Sequence, residues 1–337
     1  MMMNHTWKTQ YKIIPGTIIT GRWHSKQYVI LKELGFGANG VVYLAKHNNT
    51  QFALKMSDNS MSITSEVNVL KSLAKVQGSP TLGPSLFDVD DWQSKVGQLS
   101  FYAMEYIHGP DLLAFIANKG KSWVPVLFLQ LLSDLDKFHE NGWVFGDLKP
   151  ENLIVTGPPP KIRCIDVGGT TIQGRAIKEF TEFYDRGYWG LGSRKAERTY
   201  DLFAVAMIII NTAYPKRLTK TTGGLGQLKD AIRQKPELKR YEKVILKALQ
   251  GHYQTAKQMR DDLLNTMSDH PNPGSGTKGA PAGTDPKRQA IQHAAGTQPM
   301  SRQQFRKRKK KSGWMEFFVI GTVLCILYSM YIFLKLL

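Results

Sequence analysis

Between Tyr28 and Lys55 the chain has few ways to fold. Tyr28-Val29-Ile30-Leu31, Val41-Val42-Tyr43-Leu44 and Phe52-Ala53-Leu54-Lys55 are rich in the β-branched, aromatic and aliphatic residues that favour extended chain. Between the first two lies Gly35-Phe36-Gly37-Ala38-Asn39-Gly40. Glycines at this spacing mark a dinucleotide-binding turn when a helix follows. Here Val41, Val42 and Tyr43 follow, which start helices poorly and strands well. The context therefore selects a glycine-rich hairpin between two strands, with a backbone bare enough to approach a phosphate.

Lys55 ends an apolar strand, where a lysine is out of place unless it snorkels or serves a ligand. A cation meant for phosphates needs a carboxylate to hold it. Glu66 is the natural candidate, because Val67, Leu70 and Leu73 put it on an amphipathic helix that a Ser/Thr-rich stretch can cap. Asp58 lies too close in the chain to bend back onto Lys55. Further on, Leu127, Leu131, Leu135 and Phe138 have helical spacing, with Gly142 beyond the end. The wholly apolar run Leu202–Ile210 reads as a central buried helix. Strands first and helices later predict an α+β unit in two lobes.

The densest chemistry lies in Phe145-Gly146-Asp147-Leu148-Lys149-Pro150-Glu151-Asn152, followed fourteen residues later by Asp166-Val167-Gly168-Gly169. An Asp, a Lys and an Asn at this spacing in a loop can orient a hydroxyl, neutralise a transferred phosphoryl group and hold Mg²⁺, with a second Asp on the other side of the metal. Phosphoryl transfer needs positioning and cations more than covalent help, and this set supplies both.

In the order and spacing of these motifs the chain resembles the Hanks-type protein Ser/Thr kinases over about residues 28–265. The resemblance implies the two-lobed kinase fold, a β-sheet with one helix above a mainly helical lobe, and the use of ATP with Mg²⁺, or Mn²⁺ in its place. It implies that Asp147 orients the substrate hydroxyl and Lys149 steadies the γ-phosphoryl. Asn152 and Asp166 would hold the metal, and Lys55, paired with Glu66, the α- and β-phosphates. Gly35, Gly37 and Gly40 would cover the phosphates, and Val42 and Ala53 would pack the adenine. The hinge Met104-Glu105-Tyr106 would hydrogen-bond the base through the backbone near Glu105 and Tyr106, and Asp111 would reach the ribose. Asp201 matches the buried Asp of the family's central helix.

The pattern also departs from the family. Phe145-Gly146 stands where His-Arg is usual, so no arginine precedes Asp147 to receive an activation-loop phosphate. Thr170, Thr171, Thr181 and Ser193 remain candidate phosphorylation sites without that switch. Val167 replaces the usual Phe, and no Ala-Pro-Glu is placed before Asp201. Phe-Gly-Asp-Leu is also similar to small-molecule kinases of the antibiotic-phosphotransferase type, which tend to lack Lys-Pro-Glu-Asn here. That type, and a pseudokinase acting as a membrane scaffold, stand as alternatives. His139 reads as a structural helix-end residue and Cys164 as core; with only one other cysteine, Cys325, no disulfide framework is encoded.

The C-terminal part has a different composition. The formal net charge is +18, of which +8 falls from Ser268 onward. Residues 268–304 read as a flexible Pro/Gly-rich linker that would reach about 30–36 Å. Residues 305–313 form a basic juxtamembrane segment with Arg306, Lys307, Arg308, Lys309, Lys310 and Lys311 in succession. Phe317–Leu334 then runs eighteen residues without a charge, enough to span a bilayer, so residues 314–335 are expected to form a transmembrane helix. Positive charge on its N-terminal side predicts a single-pass C-terminal anchor in the cell membrane, with residues 28–267 cytoplasmic (lobes at about 28–105 and 106–267) after an N-terminal extension over 1–27. Met1–Gln10 lacks the apolar core of a signal peptide, in keeping with that topology. The basic block suits anionic lipid headgroups. It equally suits double-stranded DNA phosphates, bound without sequence preference and with a steep salt dependence.

Overall fold

Alternation along the early strands decides how the N-terminal sheet faces. In the computed structural model, which describes residues 13–37, 39–75, 82–94, 97–214, 216–221 and 223–268, six antiparallel strands run in the order β1-β2-β3-β4-β6-β5. They are β1 (Ile18–Thr20), β2 (Gln27–Gly37), β3 (Gly40–His47), β4 (Thr50–Ser57), β5 (Leu86–Ser94) and β6 (Gly97–Glu105). Tyr28, Ile30, Val41, Tyr43, Leu54, Met56 and Phe101 form a core on one face. Their neighbours Ala53, Tyr102 and Met104 take the other face, as the period of two requires. There they meet Ile63, Val67 and Leu70 of helix α1 (Ser60–Lys75). Lys55 shares the parity of Ala53, which turns it toward the helix and away from the outer core. The helix is started by Asn59, whose Oδ1 accepts from Ser62 N at 3.1 Å; the capping hydroxyl expected from the Ser/Thr-rich stretch is replaced by an amide.

Below the sheet come α2 (Leu112–Lys119), α3 (Trp123–Glu140), α4 (Arg198–Asn211), α5 (Gly224–Arg233), α6 (Pro236–Lys239), α7 (Glu242–Leu249) and α8 (Ala256–Ser268). Short strands β7 (Trp143–Val144) and β10 (Thr171–Ile172) pair with each other, as do β8 (Leu153–Thr156) and β9 (Lys161–Cys164). Helix α4 is buried from Tyr200 to Asn211, which explains its apolar character on every face. Around it pack α3, with Leu127, Leu131 and Leu135 fully buried, and α7. Each such leucine stabilises the fold by about 1.5–3 kcal/mol through removal from water. Cys164 is wholly buried, and burial pushes its thiol pKa well up.

The structure thus has the two-lobed architecture expected of the motifs. Strand β1, which pairs Ile18 with Val29, joins the sheet from within the stretch that sequence sets apart as an extension. Three residues are too few to show a period. No helix among the described residues is long and apolar enough to cross a membrane. The expected linker beyond Ser268, the basic segment Arg306–Lys311 and the apolar run Phe317–Leu334 lie outside the described residues.

Candidate active site

A cavity of about 390 Å³ lies between the glycine hairpin and the loops of the helical lobe. Gly35, Gly37, Gly40, Val42, Ala53, Lys55, Glu105, Tyr106, Asn152 and Asp166 all line it. The size and the mixture of an apolar end with a charged end suit a small polar ligand. Gly40 has φ +133°, and a Cβ there would lie 2.2 Å from Met56 O, so the turn into β3 requires glycine.

At the charged end the buried Lys55 Nζ donates to Glu66 Oε2 at 2.6 Å and lies 3.7 Å from Asp166 Oδ1. Burial alone would push the Lys55 pKa down. The nearby carboxylates of Asp166 and Glu66 outweigh it, so the ammonium is held above its ordinary range. Tyr102 Oη also donates to Glu66 Oε2, at 2.7 Å, and Ser62 Oγ to Glu66 Oε1 at 3.4 Å. Tyr102 faces Lys55 directly across β4 and β6. The tyrosine hydroxyl is driven well above its usual pKa by burial and by the Glu66 charge, so it remains a donor.

The loop over residues 145–152, which the kinase resemblance implies is the catalytic loop, is organised from beneath by Asp201, a wholly buried carboxylate on α4. It accepts from Phe145 N at 2.8 Å, Gly146 N at 2.9 Å and His139 Nε2 at 2.8 Å. Gly146 has φ +83°, and a Cβ there would lie 2.7 Å from Gly169 O. The glycine in place of an arginine therefore answers a local steric demand. Beyond it, Lys149 Nζ donates to Asp147 Oδ2, and Thr181 Oγ1 donates to Asp147 Oδ1 at 3.0 Å. Lys149 Nζ also reaches Thr181 Oγ1 at 3.3 Å. Asn152 Nδ2 donates to the Asp147 carbonyl at 3.1 Å, which uses the donor half of the amide and leaves the oxygen, the half a cation needs. With the Asp166 carboxylate this makes a pair of hard oxygen ligands that fits Mg²⁺.

The hinge differs in detail from expectation. Glu105 N–H donates to Ser85 O at 2.8 Å, so that amide is already used, and Ile107 joins Glu105 and Tyr106 along the cavity. The Glu105 carboxylate turns to Arg163, which forks onto both of its oxygens, with 2.9 Å from Nη2 to Oε2. The Arg163 hydrogen bond holds the Glu105 carboxyl below the usual carboxylate range. Asp111 is not among the residues lining the cavity; its Oδ1 caps α2 through Ala114 N at 2.9 Å. Of the candidate phosphorylation sites, Thr170 and Thr171 are buried, and Thr181 is the hydroxyl bonded to Asp147. In place of an Ala-Pro-Glu anchor, the buried Asp185 ties the segment before α4. It accepts from Tyr200 Oη at 2.9 Å and Arg194 Nε at 2.8 Å.

Sequence pattern does not point to Tyr102, Arg163 or Glu179, and it marks Thr181 as a phosphorylation candidate rather than as a partner of Asp147. The first two are set by strand register and lobe packing, which one-dimensional spacing does not carry. For Thr181 the available signal was a hydroxyl close after the Asp166 loop.

Comparison with known proteins bears on this geometry. A protein kinase domain match covers residues 28–272. The serine/threonine-protein kinase YabT of Bacillus subtilis (strain 168) is 58% identical over 253 residues, 74% of this chain and 75% of that protein. Sperm motility kinase 2B of Mus musculus is 33% identical over 165 residues, 47% of this chain and 33% of its own. A probable cAMP-dependent protein kinase catalytic subunit of Encephalitozoon cuniculi is 26% identical over 193 residues, covering 50% and 58% respectively.

Proposed function

The chain belongs to the protein kinase domain family and is a serine/threonine protein kinase; from that premise we propose that its substrates are cytoplasmic proteins, phosphorylated on Ser/Thr hydroxyls. The observation that carries this reading is the convergence of Asp147, Lys149 and Thr181 beside the cavity that Lys55, Asn152 and Asp166 line. Asp147 and Lys149 are not themselves lining residues, and Asp147 is joined to the cavity by Asn152, whose Nδ2 donates to its carbonyl. Bound ATP with Mg²⁺ supplies the phosphoryl group and the cation that shields it. Asp147 holds the incoming hydroxyl and takes its proton at a carboxylate oxygen. Lys149, already beside Asp147, supplies positive charge where the transferred group passes. Lys55 grips the non-transferred phosphates, and Glu66 keeps its ammonium from swinging away. Asn152, through its free amide oxygen, and Asp166 would hold the cation.

The finer reading tethers this domain to the cytoplasmic face of the cell membrane through Phe317–Leu334. It lets Arg306–Lys311 bind anionic lipid, with sequence-independent DNA binding as a stimulus to activity. The run of six cations beside an uncharged span supports it.

The test uses the full chain with labelled ATP, Mg²⁺ and a generic protein substrate, with and without duplex DNA. Asp147→Asn should lower transfer to Ser/Thr by about 10²–10⁴-fold. Transfer to small hydroxyl compounds but to no protein would replace the reading with a small-molecule kinase. ATP binding without transfer would favour a scaffold. Stimulation by DNA should vanish at high salt and when Arg306–Lys311 are neutralised; a rate indifferent to DNA leaves the block with a headgroup role alone.

A further inference from the structure

The segment after Asp166 places a carboxylate at the phosphate end of the cavity for which the transfer chemistry above has no use. Glu179 lines the cavity, two residues before Thr181. Its Oε1 accepts from Asn39 Nδ2, so it bridges to the tip of the glycine hairpin. A Cβ on Gly168 would lie 3.4 and 3.5 Å from the two Glu179 oxygens and 3.3 Å from Asp166 Oδ1. The two carboxylates therefore flank the same small volume. The cations nearby are outnumbered: Lys55 faces Glu66 at 2.6 Å and Asp166 at 3.7 Å, and Lys149 faces Asp147, so two cations stand against the four carboxylates of Glu66, Asp147, Asp166 and Glu179. A polyphosphate arriving alone would bring more negative charge into a partly desolvated site that holds two carboxylates in excess. Repulsion there is far stronger than in water.

We propose that Glu179 is a selectivity residue that rejects uncomplexed nucleotide and admits the polyphosphate only when a divalent cation accompanies it. The cation offsets the carboxylate charge, and the bond to Asn39 keeps that charge under the hairpin where the phosphates must pass. This rests on the kinase reading of the cavity, and it concerns which charge state of the nucleotide enters.

The experiment is equilibrium titration of the full chain with a fluorescent ATP analogue, once in Mg²⁺ and once in EDTA. Glu179→Gln keeps the shape and an oxygen for Asn39 but removes the charge. It should tighten binding in EDTA by about tenfold or more while leaving binding in Mg²⁺ within about threefold, because only the uncompensated anion feels the lost charge. Glu179→Ala carries the same expectation should the amide disturb the segment. Asn39→Ala retains the charge and should move the EDTA affinity by less than either. An unchanged EDTA affinity in both Glu179 variants overturns the proposal. So does a selective loss of binding in Mg²⁺, which would make Glu179 a cation ligand. If the unaltered chain binds no nucleotide in Mg²⁺, the kinase reading itself fails, and that result is distinct from either.

Discussion

Lys55 in the sheet lines the cavity and Asp147 lies beside it, bonded through its carbonyl to cavity-lining Asn152, yet different kinds of bond hold the two. Lys55 is fixed by side chains: Glu66 from helix α1, itself held by Tyr102 and Ser62. The catalytic loop is fixed through its backbone, since Asp201 takes the amides of Phe145 and Gly146 and Asn152 takes the Asp147 carbonyl. A side-chain bridge between a sheet and one helix breaks when that helix shifts. Backbone bonds onto a helix buried on every side do not move unless the lobe unfolds. The sheet side is therefore expected to be the adjustable half of the site and the helical side the rigid frame.

The largest effect is expected from Asp201→Asn. The amide cannot accept from Phe145, Gly146 and His139 together, and it removes a buried charge around which its donors are arranged. Stability should fall by about 3–5 kcal/mol, read as a lower urea midpoint. Glu66→Gln should do the reverse: phosphoryl transfer falls by about 10–100-fold through loss of Lys55 positioning, with a smaller shift in the urea midpoint. If Glu66→Gln unfolds the protein as readily as Asp201→Asn, the distinction between an adjustable and a rigid half is lost. Tyr102→Phe removes one hydrogen bond to Glu66 and sharpens the same comparison, with an expected cost of about 1 kcal/mol.

The smallest effect concerns pH. Glu105 sits below its ordinary value of 4.5 chiefly because Arg163 donates to it. A depressed carboxylate adds stability that is present above the ordinary pKa and lost as pH falls through the folded value. Arg163→Met should therefore flatten the acid limb below pH 4.5, seen as a smaller drop in urea midpoint as pH is lowered from 4.5 toward about 3. The Glu105 side chain is 37% exposed, so solvent screening keeps the change modest. A limb as steep as in the unaltered chain would show that Arg163 does not set the hinge carboxylate.

Much of this site is legible in the sequence because it is written locally. The hairpin follows from Gly35, Gly37 and Gly40 set against Val41-Val42-Tyr43, and Lys55 stands out as a charge ending an apolar strand. Glu66 could be chosen because α1 announces its buried face, and the two side chains meet at 2.6 Å. Asp111 has two roles open to it: the kinase resemblance implies a ribose contact, while a carboxylate one residue before a helix is also a cap, and its Oδ1 accepts from Ala114 N. The Gly146 substitution, legible as a missing arginine, gains its steric reason only when Gly169 O is seen beneath it.

By itself the sequence determined that strands come first and helices later, and it marked the glycine turn and the Asp–Lys–Asn loop. Periodicity, conformational preference and short spacing are properties of neighbouring residues. Only the tertiary structure decided that Tyr102 meets Glu66, that Arg163 clamps Glu105, that Thr181 bonds Asp147 and that Glu179 reaches Asn39. These pairs lie 36, 58, 34 and 140 residues apart. Their meeting depends on strand register and on how the segment after Asp166 lies across the cleft, and each of these is settled by packing energy summed over both lobes rather than by any local run of residues.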